Sequence, residues 1–272
     1  MMSRKVLSIS DAAKVLLHAF LLFMLSAISP YSWAQDQQSC KMYLAYRNLD
    51  HEKSEIQVRH YDGKQWSEQL IAHSNTAGFS YAPTVTRDSQ ENVLVAWVDR
   101  VGASTQLMYR AMNDHEQWRD VAIEVGSIEG EKTTPVLFRS ISGEVYLSWV
   151  SDENGLDDVF LSRWDPVDGW LSPAVLSQDN EFPDVTPNFE YVEDSKGEFD
   201  LSVVWQARSK DGIYQPESYV IEQGLRLEPD QKVNNEICNE ELEDVSIPSS
   251  YDVGFLYTPS NLSESYRRLR NR

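Results

Sequence analysis

Val93–Trp97 reads V-L-V-A-W. With Val98 it makes an apolar run that ends on a large aromatic, bounded by the polar turn Asp88–Asn92 and the glycine-containing loop Asp99–Thr105. A short run rich in β-branched and aromatic residues between turn signals predicts a half-buried β-strand. The same wording then recurs. Pro83, Pro135 and Pro187 are spaced by 52 residues, as are Trp66, Trp118 and Trp170. Trp97, Trp149 and Trp205 follow at 52 and 56, with Tyr46 one repeat earlier and Tyr257 one repeat later. A period near 50 residues marks a repeat architecture in which each unit must stack on its neighbours to bury a core.

Each full repeat reads as four short strands. The second contains Pro83–Arg87, Val93–Val98, Gln106–Met112 and Trp118–Val125. The third contains Pro135–Arg139, Glu144–Val150, Asp158–Trp164 and Trp170–Leu176. The fourth runs Pro187–Val192, Phe199–Gln206, Tyr214–Glu222 and Leu225–Leu227, and lacks the second tryptophan. The first supplies only Lys41–Arg47, Glu55–Tyr61 and Trp66–Ala72, and the C-terminal part offers Glu243–Ile247, Val253–Thr258 and Glu264–Leu269. Four-stranded units without helical periodicity predict an all-β fold, a β-propeller. Five blades with incomplete terminal blades fit the count; four blades and a spare C-terminal hairpin are the alternative. The repeated tryptophans are expected between blades.

Residues 1–34 read as a signal peptide: Arg4, Lys5 and Lys14 supply positive charge, Val15–Ile28 is a short apolar run, and Ser32-Trp33-Ala34 fits a cleavage site. Residues 35–272 then form one exported propeller domain, periplasmic or extracellular. The formal charge is −19 for the whole chain. Residues 1–34 hold three basic residues and one acid, so the remainder carries −21. Such a charge disfavours nucleic acid and anionic lipid as partners. The basic tail Arg267, Arg268, Arg270 and Arg272 reads as a solvated end. No stretch after the signal is apolar enough to span a membrane. Cys40 and Cys238, an even pair in an exported chain, suggest a disulfide tying the two ends of the repeat array, with two free thiols as the alternative.

The turns before the second tryptophans carry a resemblance. Asp62-Gly63-Lys64-Gln65-Trp66 has an acid, a glycine and a tryptophan at the spacing of an Asp-box. Asp114–Trp118 keeps the acid and the tryptophan, and Asp168-Gly169-Trp170 keeps all three in shortened form. With the Asp88–Trp97 run, residues 35–272 resemble the sialidase-like repeat propellers, although the serine and threonine of the motif are missing. The resemblance implies that these turns lie opposite a ligand face. That face is built from the loops between second and third strands and from the connections between blades. It would carry Arg47, Asn48 and Asp50; Asp99 and Arg100; Asp152, Glu153 and Asp157; Arg208, Lys210, Asp211 and Tyr214; and Phe79, Tyr81, Lys132 and Asp184.

A sialidase needs three arginines around a carboxylate, a tyrosine activated by a glutamate, and an acid. Arg47, Arg100 and Arg208 are the candidate arginines and Tyr81 and Tyr214 the candidate tyrosines, but the F/Y-R-I-P motif of that family is missing. The expectation is therefore a non-catalytic binding module for a glycan or partner protein, its ligand held by Arg47, Tyr81, Asp99, Arg100, Asp152, Arg208 and Tyr214. A glycoside hydrolase is the alternative, and an assembly role through unfinished end blades is a third reading. No catalytic set, zinc-spaced histidine pair, nucleophile elbow, P-loop or dinucleotide fingerprint is present. No cofactor is expected. Asp152–Asp158 has oxygen ligands that calcium would accept but does not follow the EF-hand pattern.

Overall fold

The computed structural model describes residues 42–226, with breaks at 51–52, 63–64, 76, 114, 120, 127–128, 154 and 178–181, together with 252–257. The chain divides between Ser39 and Cys40. The signal segment 1–34, both cysteines, the strands expected at Glu243–Ile247 and Glu264–Leu269, and the basic tail lie outside the described residues.

Every regular element described is a strand: β1 (Met42–Asp50), β2 (Lys53–Tyr61), β3 (Leu70–Asn75), β4 (Phe79–Arg87), β5 (Val93–Val101), β6 (Ser104–Met112), β7 (Ile123–Glu124), β8 (Lys132–Arg139), β9 (Val145–Ser151), β10 (Asp158–Asp165), β11 (Gly169–Trp170), β12 (Ala174–Val175), β13 (Asp184–Glu193), β14 (Phe199–Arg208), β15 (Tyr214–Leu225) and β16 (Asp252–Tyr257). They form four antiparallel sheets among the described residues. The orders are β16-β1-β2-β3, then β4-β5-β6-β7, then β8-β9-β10 with β11 and β12 both on β10, then β13-β14-β15. Successive meanders stacked face to face are the blades of a β-propeller.

The stacking explains why V-L-V-A-W decides the fold. Alternate residues of a strand point to opposite faces. Val93, Val95 and Trp97 enter a core shared with Tyr43, Ile56 and Val58 of the first sheet. Leu94, Ala96 and Val98 enter a second core with Leu147, Trp149 and Phe160 of the third. In the next repeat, Tyr146 and Val150 turn away from Trp149 to meet Phe189, Val203 and Trp205. The expected half-buried strand is thus buried on both faces, because a neighbouring sheet covers each one.

Two expectations are corrected. The segment Val253–Thr258, expected in a separate terminal blade, corresponds to β16, which pairs with β1 from Tyr43↔Tyr257 to Arg47↔Asp252. It supplies the innermost strand that the first repeat lacks, and so satisfies an otherwise unpaired row of backbone groups. The fourth strands are also shorter than expected. Trp118–Val125 reduces to Ile123–Glu124 and a single bridge from Met112 to Trp118. Trp170–Leu176 splits into β11 and β12 around Pro173, which has no N–H to give to a ladder.

The repeated prolines have one job. The innermost strands β4, β8 and β13 each shift register just there, between Tyr81 and Thr84, Thr133 and Val136, and Val185 and Asn188. The residue before each proline, Ala82, Thr134 or Thr186, has φ of 49°, 47° or 54°. A bulge tolerates proline because the ladder is interrupted. The adjacent sheet also bonds the edge strand β8: the Leu137 N–H donates to Thr84 Oγ1 at 3.1 Å. Thr84→Val keeps the shape but removes that acceptor. Urea unfolding should show a loss of about 1–3 kcal/mol with an unchanged m-value. A neutral result would show that Leu137 finds another partner.

Candidate functional site

In each sheet the start of the first strand lies beside the end of the second. Phe79 pairs with Arg100, and Arg100 in turn with Thr105. The first strand therefore enters at the end that carries the β5–β6 loop. The opposite end carries tight turns capped by carboxylate or amide oxygens. Asp88 Oδ1 accepts from the Gln90 and Asn92 N–H groups, and Asp194 Oδ1 from those of Lys196 and Glu198. Before the second tryptophans, Asp62 caps the turn as expected. In the third repeat the cap comes from Asp165 and not from Asp168, and in the second Asn113 Oδ1 accepts from the His115 and Gln117 N–H groups. A cap must precede the N–H groups it binds, and the shortened motif hid that offset.

Two glycines bring the chain close at the loop end. A Cβ on Gly78 would stand 1.9 Å from the Arg100 carbonyl oxygen. Gly130, one repeat later, has φ +86°, and a Cβ there would stand 2.6 Å from Asp152 Oδ1. Immediately after each glycine comes a side chain of the candidate site, Phe79 in one repeat and Glu131 in the next.

Phe79, Tyr81 and Arg100 share a face. Phe79 and Tyr81 are two residues apart on one strand, and Arg100 is the cross-strand partner of Phe79. Phe79 is 60% exposed. Arg100 Nη2 lies 3.0 Å from Glu131 Oε1. The Tyr81 phenol donates to the Lys132 carbonyl at 3.4 Å. Burial pushes that phenol above its usual value, with Arg100 opposing and Glu131 adding to the shift. Tyr81 is therefore a neutral, hydrogen-bonding phenol at rest. The Glu131 N–H donates to Asp152 Oδ1. Burial, then Asp152, Glu131 and Asp158, raise the proton affinity of Asp157. Lys132 is buried, donates to the Gly130 carbonyl at 2.9 Å, and has its ammonium destabilised by that burial against the pull of Glu124, Glu153, Asp152 and Glu129.

Of the expected site residues, Tyr81, Arg100 and Asp152 thus meet around Glu131, which the sequence reading missed. Its position 52 residues after Phe79 was the available signal. Asp99 turns inward. It is 7% exposed and accepts from Ser80 Oγ at 2.5 Å and Trp97 Nε1 at 2.9 Å, with His73 Nε2 3.0 Å from its other oxygen. Arg47 lies within β1 opposite Asp252. Arg208 and Tyr214 are cross-strand partners on the fourth sheet, where the Arg208 N–H donates to the Pro183 carbonyl. The three arginines sit on three different sheets. Among the described residues no group of three His, Cys, Asp or Glu could hold a metal ion, and no helix is long and apolar enough to cross a membrane.

An open groove of about 480 Å³ lies elsewhere, lined by Ile71 and His73 of β3, Met108 and Arg110 of β6, and Val121 before β7. It shares no residue with the Tyr81–Arg100 cluster. Its walls are mostly apolar, and Arg110 is engaged with the Ala72 carbonyl at 2.9 Å. The polar chemistry is at the loop end, and the candidate site is placed there.

No protein-family model and no curated protein matches the chain. Among solved structures it is similar to an endo-arabinase from Bacteroides thetaiotaomicron, at 12% identity and TM-score 0.41, over 68% of this chain and 72% of that one. It is similar to the GH32 β-fructofuranosidase BmSUC1 of Bombyx mori, at 14% identity and TM-score 0.42, over 67% of this chain and 43% of that one. It is also similar to a fucose lectin from Kordia zhangzhouensis, at 15% identity and TM-score 0.33, over 51% of this chain and 96% of that one. The chain spans less than half the length of the fructofuranosidase.

Proposed function

We propose that this is an exported, sialidase-like propeller that binds a glycan at the loop end of β4, β5 and β8 without cleaving it. The observation that carries the reading is the exposed Phe79 ring beside the Tyr81–Arg100–Glu131 cluster. A sugar ring offers an apolar C–H face and a rim of hydroxyls that donate and accept. An exposed aromatic flanked by a phenol, a guanidinium and a carboxylate meets both needs. Export, and a Cys40–Cys238 bond that would tie the ends of the array, complete the reading from the sequence.

The raised proton affinity of Asp157 favours a second reading. A carboxyl whose proton affinity is raised by burial and neighbouring acids is the kind of group a glycosidase uses as general acid. One experiment separates the two. The purified protein is applied to an oligosaccharide panel and, in parallel, to fluorogenic glycosides. The expected result is binding that Phe79→Ala weakens about tenfold or more, without fluorophore release. Turnover that disappears in Asp157→Asn would establish the hydrolase instead. Absence of any glycan binding by the folded protein would remove the first reading.

A further inference from the structure

The charge state of the site points to the class of glycan it takes, an inference that rests on the binding reading above. Arg100 is the guanidinium beside Phe79 and Tyr81, and its charge is already met by Glu131 at 3.0 Å. Glu131 is anchored from behind: its own N–H is held by Asp152 Oδ1, and Gly130 allows that approach. The Lys132 amine supplies no free cation here, since it is buried and directed to the Gly130 carbonyl. A sugar carboxylate or sulfate reaching Arg100 must displace the Glu131 carboxylate and then sit beside Glu131 and Asp152. A hydroxyl meets no such conflict. It can accept from a guanidinium N–H and donate to the carboxylate of the same pair.

We propose that the Arg100–Glu131 pair is the specificity determinant of this site, admitting uncharged sugars and rejecting anionic ones such as uronates and sialosides. This is the reverse of what three arginines around a carboxylate would do. Asp152, Glu131 and Asp158 add to burial in raising the proton affinity of Asp157, so the same carboxylates surround that group as well.

The test is titration calorimetry at low ionic strength with arabinohexaose and xylohexaose on one side and hexagalacturonate and sialyllactose on the other. The wild-type protein should bind an uncharged oligomer at least about tenfold more tightly than the anionic ones. Glu131→Gln, at a partly exposed position, keeps the side-chain size and releases Arg100. It should improve hexagalacturonate binding about tenfold and weaken binding of the uncharged oligomer, whose hydroxyl loses its carboxylate acceptor, so that the ratio between the two classes falls by about tenfold or more. In 1 M salt the wild-type preference should narrow, as screening requires. Equal affinity of the wild type for both classes, or an unchanged ratio in Glu131→Gln, overturns the selectivity and leaves glycan binding standing. A wild-type protein that binds none of the four overturns the binding reading and the selectivity together.

Discussion

Trp97→Ala should lower the unfolding free energy by about 3–5 kcal/mol, seen as a fall in the urea midpoint and a Tm lower by about 10 °C. The indole is fully buried in the core between the first and second sheets, with His73 stacked on it at 5.1 Å. Its removal leaves a cavity whose walls are strands of two sheets, and strands fixed in ladders collapse little into a void. The indole N–H also serves Asp99. Trp118 provides the control. It is only partly buried at the edge of the same core, with Arg110 over its ring at 5.3 Å, and Trp118→Ala should cost clearly less. Equal costs at the two positions would contradict the assignment of Trp97 as the inter-sheet plug.

The second large effect concerns Asp99. Asp99→Ala should cost about 3–5 kcal/mol, because Ser80, Trp97 and His73 would lose a common buried acceptor. Asp99→Asn preserves the volume and tests the charge. Burial alone would raise the pKa of this carboxyl. The hydrogen bonds from His73 and Ser80, the charge of His73 and the bond from Trp97 together outweigh it, and the folded value lies below the ordinary 3.8. The sign follows from linkage. Depression of an acid's pKa on folding stabilises the protein above the unfolded value, and that contribution is lost as pH falls through the folded value. The wild-type protein should therefore lose stability below about pH 4 more steeply than Asp99→Asn, whose curve lacks this component. Parallel curves from pH 5 to pH 2 would show that the charge contributes nothing.

The repeat made the strand order and the inter-sheet role of the tryptophans legible, because a residue recurring at the period of a stacked unit faces a neighbouring unit. The ends were less legible. No local pattern in Val253–Thr258 says that it pairs with Lys41–Arg47, since a strand's partner is a long-range choice. The fourth strands were overestimated because Trp118 and Trp170 look like strand residues, while Pro173 and the polar turns interrupt the ladder. At the site, counting from Trp97 and Trp205 put Arg100 and Arg208 at comparable strand ends, but Arg47 falls within β1 and pairs with Asp252. Asp99 looked like a loop acid. Its position two residues after Trp97 puts it on the same face as the indole, and there it is buried. Glu131 escaped notice because its equivalent is a phenylalanine, so type-matching across repeats passes over it. Gly78 and Gly130 could have been caught by their spacing, as the prolines were.

The pairing of β16 with β1 has a consequence for how the molecule is made. Strands β1 to β3 belong to a sheet whose fourth member, β16, follows every other described strand in the chain. The second, third and fourth sheets are built from contiguous sequence and need no late arrival. A nascent chain, or one clipped ahead of Asp252, therefore displays the inner edge of β1 as a row of open amides and carbonyls, which is a template for aggregation and a mark that chaperones and proteases can read. The sheet of β1 is thus closed only after the other three described sheets have been made.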